Sequence, residues 1–330
     1  MDISDYTEYM QSFHDTYIGY IKPDDVLVLA ISGGVDSMAL LSLVLGMHHR
    51  EKIIVAHFDH SLRGDESNAD RDLVANICKN KNIVFEVKRV DISLLAKQEK
   101  MSIESMARRE RYRFLESVRK KYNAQYVLTA HHMDDQIETA IFNLIRGSKL
   151  GGIHALSQLN EYIFRPLIST SKREIQEYAT LHNIEYREDS SNNDTRYLRN
   201  HIRHVLLPEF KVINPEYQKS LQDFINYTKD LKDWIDNEVE SWLKSNIVSK
   251  DEMLQSGTSF SVGEFEKKSP FFQKEILRYL YEKANKGTIG LSEGLIEEIL
   301  RYITMAEGGT TKGFGIIRIT KQKSRVTFSF

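Results

Sequence analysis

The stretch Val26-Leu27-Val28-Leu29-Ala30-Ile31-Ser32-Gly33-Gly34-Val35-Asp36-Ser37 decides the fold. A short apolar run followed by two glycines and an amphipathic segment, Met38 to Met47, is a buried strand, a tight turn and the first turn of a helix. Two glycines let the backbone come close to a ligand and adopt φ values that other residues resist. The serines and the exposed N–H groups of a helix start suit phosphate oxygens. Asp36 is out of place in an anion site unless it holds a cation that travels with the phosphate. The spacing is not Gly-x-x-x-x-Gly-Lys-Ser/Thr, and it is not Gly-x-Gly-x-x-Gly. Taken alone, the run is either a phosphate loop or an ordinary strand-to-helix turn.

Outward from this point, strand and helix signals alternate. Strands are predicted at 26–31, 52–58, 83–90 and 126–129, and helices at 37–47, 66–80, 102–122, 134–146 and 171–183. That alternation predicts a parallel twisted sheet with helices on both faces. Ligands of such sheets sit beyond the C-terminal strand ends, and Ser32, Asp59 and His131 all fall there. The character changes near Pro208 and Pro215, which divides the chain into a catalytic domain, 1–215, and a smaller, mainly helical accessory domain, 216–330. The second part opens with a long helical pattern, 217–247. Its stripe of Leu221, Phe224, Ile225, Leu231, Trp234, Ile235, Val239 and Trp242 reads as core. Helices at 270–285 and 291–303 and short strands at 314–320 and 325–330 complete it.

Four further clusters carry possible chemistry. His57-Phe58-Asp59-His60-Ser61-Leu62-Arg63-Gly64 follows the second strand. Its His and Asp side chains either ligate a metal or bond to their own backbone. Phe58 offers an apolar face to a base and Arg63 a contact to a phosphate. Arg108-Arg109-Glu110-Arg111-Tyr112-Arg113 sits on a helix capped by Ser102, and Arg108 and Arg111 share a face there. Two guanidinium forks suit a triphosphate or RNA phosphates, while pairing with Glu104 and Glu110 is the bland alternative. His131-His132-Met133-Asp134-Asp135-Gln136-Ile137-Glu138 runs from a strand end into a helix. Its carboxylates suit Mg²⁺ or an amine nucleophile, although an acidic first turn also caps a helix. Arg165-Pro166-Leu167 comes next, then the polar run 189–194, then Arg196, Tyr197, Arg199, Asn200 and Arg203. A basic stripe with an interleaved aromatic suits RNA, and a salt-bridged surface helix is the alternative.

Composition narrows the class. The chain has 330 residues, 41% hydrophobic and 28% charged, which is ordinary for a globular protein. Net charge is −2, and residues 217–330 hold 17 Lys and Arg against 16 Asp and Glu, so nucleic acid would have to be gripped by local patches. One cysteine, Cys78, excludes an intramolecular disulfide and any Cys-x-x-Cys site. With a polar N-terminus and no apolar run of membrane-spanning length, the expectation is a cytoplasmic protein that uses no membrane.

Taken together, Ser32–Ser37, 57–64, 107–112, 130–139, 165–167 and 189–203 resemble the motifs of the tRNA(Ile)-lysidine synthetase family, in order, across about residues 25–210. The loop alone resembles the PP-loop of ATP pyrophosphatases. The resemblance implies an adenine nucleotide alpha hydrolase-like, Rossmann-like fold. It also implies ATP and Mg²⁺ as cofactors, with free L-lysine and an isoleucine tRNA bearing a CAU anticodon as partners. ATP would adenylate O2 of the wobble cytidine and release pyrophosphate, and the ε-amine of lysine would then attack C2 and expel AMP. In these terms Ser32, Gly33, Gly34, Val35, Asp36 and Ser37 cradle the ATP phosphates and Asp36 holds Mg²⁺. Phe58, Arg108 and Arg111 support the nucleotide. Asp135, with Glu138 or His132, orients the lysine ammonium or takes its proton. Arg63, Arg165, Arg199, Asn200 and Arg203 face the tRNA. Beyond residue 216 the match is loose, as in a short form, and a homodimer stays open. The rival readings are a tRNA-thiolating relative, a His/Asp metal-dependent phosphoesterase and a non-enzymatic RNA-binding module.

Overall fold

Strand β1 (Leu27–Ala30) runs through the middle of the larger sheet, between two parallel neighbours, β2 (Ile53–Asp59) and β4 (Tyr126–Leu128). This is seen in a computed structural model that describes residues 10–61, 65–153, 156–187, 198–246, 257–285 and 291–329. Leu27 stands opposite both Ile53 and Tyr126. With β3 (Val84–Arg89), β5 (Leu159–Asn160) and β6 (Ile163–Phe164), six strands are ordered β3-β2-β1-β4-β6-β5. All pairs are parallel except β5 with β6. The order reverses between β1 and β4, so the loops that leave these two strands flank one crevice.

Side chains alternate across a strand, and β1 shows it. Leu27 and Leu29 face a core with Phe13 and Tyr17 of α1 (Gln11–Tyr20), Leu40 and Val44 of α2 (Val35–Met47), and Val74 and Cys78 of α3 (Asp65–Asn80). Ile175 and Tyr178 of α8 (Lys172–Leu181) join the same core. Val28, Ile54, Ala56 and Val127 face the opposite core with Ile92 of α4 (Ile92–Glu99) and Phe114 and Val118 of α5 (Ile103–Lys121). Each fully buried aliphatic side chain of this kind contributes about 1.5–3 kcal/mol.

Local chemistry fixes the helix starts that matter for the site. The Ser102 hydroxyl accepts from the Ser105 N–H at the head of α5. Helix α6 (Met133–Ile145) begins where the Asp135 carboxylate accepts the His132 N–H at 3.1 Å. Ser171 and Glu174 close a reciprocal capping box at the head of α8. Helix α9 (Leu198–His201), a wider π-type turn (Ile202–Leu206) and α10 (Leu207–Ile213) follow one another without a break.

The chain divides into two compact units, Met1–Arg146 with Ala155–Gln222, and Gly147–His154 with Asp223–Phe330. The division falls inside α11 (Tyr217–Asn246), seven residues later than the proline-based boundary, and residues 147–154 group with the second unit. That unit also contains α7 (Leu150–Ile153), α12 (Val262–Glu266), α13 (Pro270–Asn285) and α14 (Glu293–Met305). Four strands make a separate antiparallel sheet, ordered β7-β10-β9-β8: β7 (Thr258–Ser261), β8 (Thr310–Phe314), β9 (Ile317–Lys321) and β10 (Arg325–Ser329). Trp242, Phe260, Phe265 and Phe328 form its aromatic centre. The predicted stripe of α11 splits. Ile225, Ile235, Val239 and Trp242 are buried, but Phe224 and Trp234 are exposed, because the eight apolar positions span more than the one helix face that packs on the core.

Candidate active site

The glycine turn lies at the C-terminal end of β1, where the strand order reverses. Gly33 has φ +97°, a left-handed value that a side chain resists. The Ser37 hydroxyl accepts from the N–H groups of Ser32 (3.1 Å) and Gly33 (3.2 Å) and donates to the Gly34 carbonyl (2.9 Å), which pins the turn. Gly34 is the N-cap of α2 and no side chain caps this helix. The first-turn N–H groups around Val35 and Asp36 are thus left to a ligand, and the dipole favours an anion.

A cavity of about 720 Å³ opens beside the turn. Ser32, Phe58, Asp70, Arg111, Phe142, Arg199 and Asn200 are among its lining residues. Phe58 is packed on Phe114 and His60, and so presents an apolar wall. His57 also lines the cavity. It is buried and bonds through Nδ1 to the Ile31 carbonyl at 2.9 Å, and burial pushes its pKa down. The Asp59 carboxylate accepts the Ser61 N–H at 2.8 Å and lies 3.5 Å from Arg89. This loop is therefore bonded to its own surroundings. Among the described residues, no three His, Cys, Asp or Glu side chains are placed to hold a metal ion.

A second cluster gathers beside the turn around the head of α6. His132 is buried, with Nε2 at 3.4 Å from Asp135 and 3.9 Å from Asp36, and Nδ1 at 3.6 Å from Asp134. Burial pushes its pKa down, but the carboxylates of Asp135, Asp134 and Asp36 outweigh burial and hold it above the ordinary value. Burial raises the pKa of Glu138 despite the opposing pull of Arg203. Asp134 accepts from the Lys172 N–H (2.8 Å) and from Gln218 (2.7 Å); burial pushes its pKa up, but His132 and the Lys172 N–H overcome burial and hold it below the ordinary value. Among the described residues, the carboxyl groups of Asp36, Asp134, Asp135 and Glu138 face two permanent cations, Lys172 and Arg203, so acidic groups outnumber fixed cations in the cluster before His132 is counted.

Two arginines expected on an RNA-facing surface are placed elsewhere. Arg203 turns onto the acidic cluster, donating to Glu138 at 2.6 and 2.9 Å and to Asp135 at 3.4 Å, because the π-type turn and α6 lie side by side. Arg165 is 4% exposed and donates to the Ser157 carbonyl at 2.7 Å. It lies beside Tyr112, whose ring is flanked by Arg108 and Arg111 at 5.0 and 5.2 Å. Burial raises the Tyr112 phenol, but Arg111, Arg108 and Arg165 overcome it and leave the pKa below the ordinary value. Burial and the same three guanidiniums keep His131 well below its ordinary value, hence neutral. Arg199 lies 3.4 Å from Glu104 and over the Phe142 ring, at the cavity wall with Asn200. Arg63, the polar run 189–194, Arg196 and Tyr197 lie outside the described residues.

Sequence reasoning missed Lys172. Its ammonium donates to both oxygens of Asp36, at 2.6 and 2.7 Å. The only sequence signal near it is the capping box of Ser171 and Glu174, which predicts a helix start but no partner. The Asp36 carboxylate thus already grips a cation beside the turn. Mg²⁺ takes one or two carboxylates together with substrate phosphates, and Asp36 fits that donor set.

An open parallel sheet whose switch point carries an uncapped glycine turn defines a nucleotide-binding domain of the PP-loop class, and a family model of the PP-loop domain matches residues 4–210. The chain is 33% identical over 321 residues to the tRNA(Ile)-lysidine synthase of Bacillus cereus, covering 94% of this chain and 66% of that protein. It is 32% identical over 324 residues to the tRNA(Ile)-lysidine synthase of Petrotoga mobilis, covering 98% and 97%. The chain belongs to the tRNA(Ile)-lysidine synthase family. It spans about two-thirds of the length of the Bacillus cereus relative and nearly all of the Petrotoga mobilis one. The U34-tRNA thiolase NcsA of Methanococcus maripaludis, solved with its [4Fe-4S] cluster, shares the fold, with a TM-score of 0.52 and 16% identity over 67% of this chain and 78% of that one. Here the lone Cys78 is buried in the core, and burial pushes its thiol up to about 12. No described helix is long and apolar enough to cross a membrane.

Proposed function

We propose that this chain joins lysine to C2 of the wobble cytidine in the CAU anticodon of an isoleucine tRNA, at the expense of ATP. The carrying observation is the pairing of an anion-accepting turn with a net-negative cluster at one switch point. A triphosphate and an ammonium are the two substrates of opposite charge that such a pair accommodates. In this reading the cytidine O2 attacks the α-phosphorus of ATP, and pyrophosphate leaves from the turn formed by Ser32–Ser37. The lysine amine then attacks C2, and AMP departs with the former O2.

The residues divide this work by charge. Asp135 and Glu138 draw in the lysine ammonium, and the raised pKa of Glu138 suits it to accept the proton that must leave before attack. His132 is the other candidate for that proton, because its pKa lies above the ordinary value. Arg203 keeps Glu138 oriented. Arg108 and Arg111 face the nucleotide phosphates or the activated base. Mg²⁺, held by Asp36 with phosphate oxygens, would offset charge on the leaving pyrophosphate. Arg199 and Asn200 at the cavity wall, and Arg63, are assigned to the tRNA. The second unit is assigned to tRNA regions away from the anticodon, where exposed Phe224, Tyr227 and Trp234 offer planar faces for unpaired bases.

The test is incorporation of radiolabelled lysine into a CAU isoleucine tRNA transcript with ATP and Mg²⁺. Label is expected in this tRNA, absent from methionine tRNA, and dependent on ATP. ATP turnover with tRNA but no label would overturn the lysine assignment.

A further inference from the structure

Lys172 has a fixed base and a partly exposed tip. Its N–H donates to Asp134, the preceding Ser171 is locked in the capping box, and the Thr170 carbonyl accepts the Met133 N–H at 2.9 Å. The chain that carries Lys172 is thereby tied to the head of α6. The ammonium is held by Asp36, and these two side chains are 33% and 29% exposed. A pair this open contributes little to stability, so stability alone is a weak reason for it. Its position is more informative. Asp36 is in the uncapped first turn of α2, beside the N–H groups that would receive a polyphosphate.

Any cation that accompanies a nucleotide to Asp36 must compete with Lys172 for the same two oxygens. We propose that Lys172 is a phosphate-contacting residue of this site, and that Asp36 holds its ammonium until a divalent cation and nucleotide arrive. The proposal rests on the nucleotide reading of the glycine turn. The divalent cation takes over neutralisation of Asp36, and the lysine's positive charge passes to the incoming polyphosphate. The transfer needs only rotation of the lysine side chain, since its backbone stays bonded to Asp134.

The test uses the full chain without tRNA and measures two affinities. One is Mn²⁺ alone, followed by electron paramagnetic resonance. The other is ATP in the presence of EDTA, followed by equilibrium dialysis. Lys172→Met removes both the competitor and the phosphate contact. It is expected to tighten Mn²⁺ severalfold and to weaken metal-free ATP by about tenfold, the size of one charge-assisted hydrogen bond. Lys172→Arg keeps the charge and is expected to retain most of the ATP affinity. Asp36→Asn releases Lys172 and is expected to tighten metal-free ATP while abolishing the Mn²⁺ site. The opposite signs exclude a merely structural role, which would weaken both ligands together. Unchanged ATP affinity in Lys172→Met, or weaker metal-free ATP in Asp36→Asn, would overturn the proposal while wild-type ATP binding upheld the turn. A wild-type chain that binds no ATP would overturn both.

Discussion

Replacing Arg203 with methionine separates the arrangement seen here from a surface role. Glu138 is 5% exposed in its side chain and receives two of the Arg203 N–H groups, while Arg203 is 36% exposed. Breaking a fully buried pair costs about 3–5 kcal/mol and breaking an open one about 0–1. With one partner buried and the other partly screened, the expected loss is about 2 kcal/mol. For a unit of this size that corresponds to about 4–8 °C in melting temperature. The loss has a limit, because burial already raises the pKa of Glu138 and Arg203 opposes that rise. Without the arginine, Glu138 escapes the penalty by taking a proton, so the loss shrinks at acid pH and grows toward alkaline pH. The assay is thermal unfolding followed by circular dichroism at two pH values, for Arg203→Met, Glu138→Gln and the double variant. The double variant should lose less than the sum of the singles, with a coupling of about 1–2 kcal/mol. A shift under about 1 °C, or strict additivity, would refute the reasoning and return Arg203 to the RNA-facing role.

Gly33→Ala forces a side chain into φ +97°, while the added carbon meets only ordinary contacts at 3.5 Å from Asp70. A loss of about 1–2 kcal/mol in stability from backbone strain is expected, together with weaker ATP binding, checked by melting and dialysis. His132 has a folded pKa above 6.5, so its contribution to stability is complete below about pH 6.5 and is lost as pH rises through the folded value. The stability gap between wild type and His132→Gln should be wide at pH 6 and narrow at pH 9 in denaturant titrations; a gap that widens with pH would reverse the sign of the argument. Arg165→Met removes a buried cation and its bond to Ser157, two effects that oppose each other. Stability should change by less than about 1 kcal/mol, and tRNA affinity without ATP should hold, as filter binding would show.

Local patterns were legible and distant encounters were not. Strands β1, β2 and β4 stand out because burial on both faces makes them continuous apolar runs, as in Ile53-Ile54-Val55. Strands β5 and β6 are two residues each, too short for any period to register. Helix α1 has no side-chain cap and only a weak stripe, so its buried Phe13 and Tyr17 gave little signal. In the site, Ser32–Ser37 and His131–Glu138 are contiguous in sequence and could be read directly. The bond from Lys172 to Asp36 spans 136 residues and that from Arg203 to Glu138 spans 65, and neither follows from spacing. Arg165 misled for another reason: a lone arginine is usually exposed, and nothing in Arg165-Pro166-Leu167 announces burial.

The most direct test of the central claim is mass spectrometry of nucleosides from a CAU isoleucine tRNA incubated with the protein, ATP and Mg²⁺, with lysine present or withheld. The account predicts lysidine in place of the wobble cytidine when lysine is present, and an AMP adduct on that same cytidine when it is withheld. An unmodified cytidine in both reactions, from protein that binds ATP and the tRNA, would contradict it.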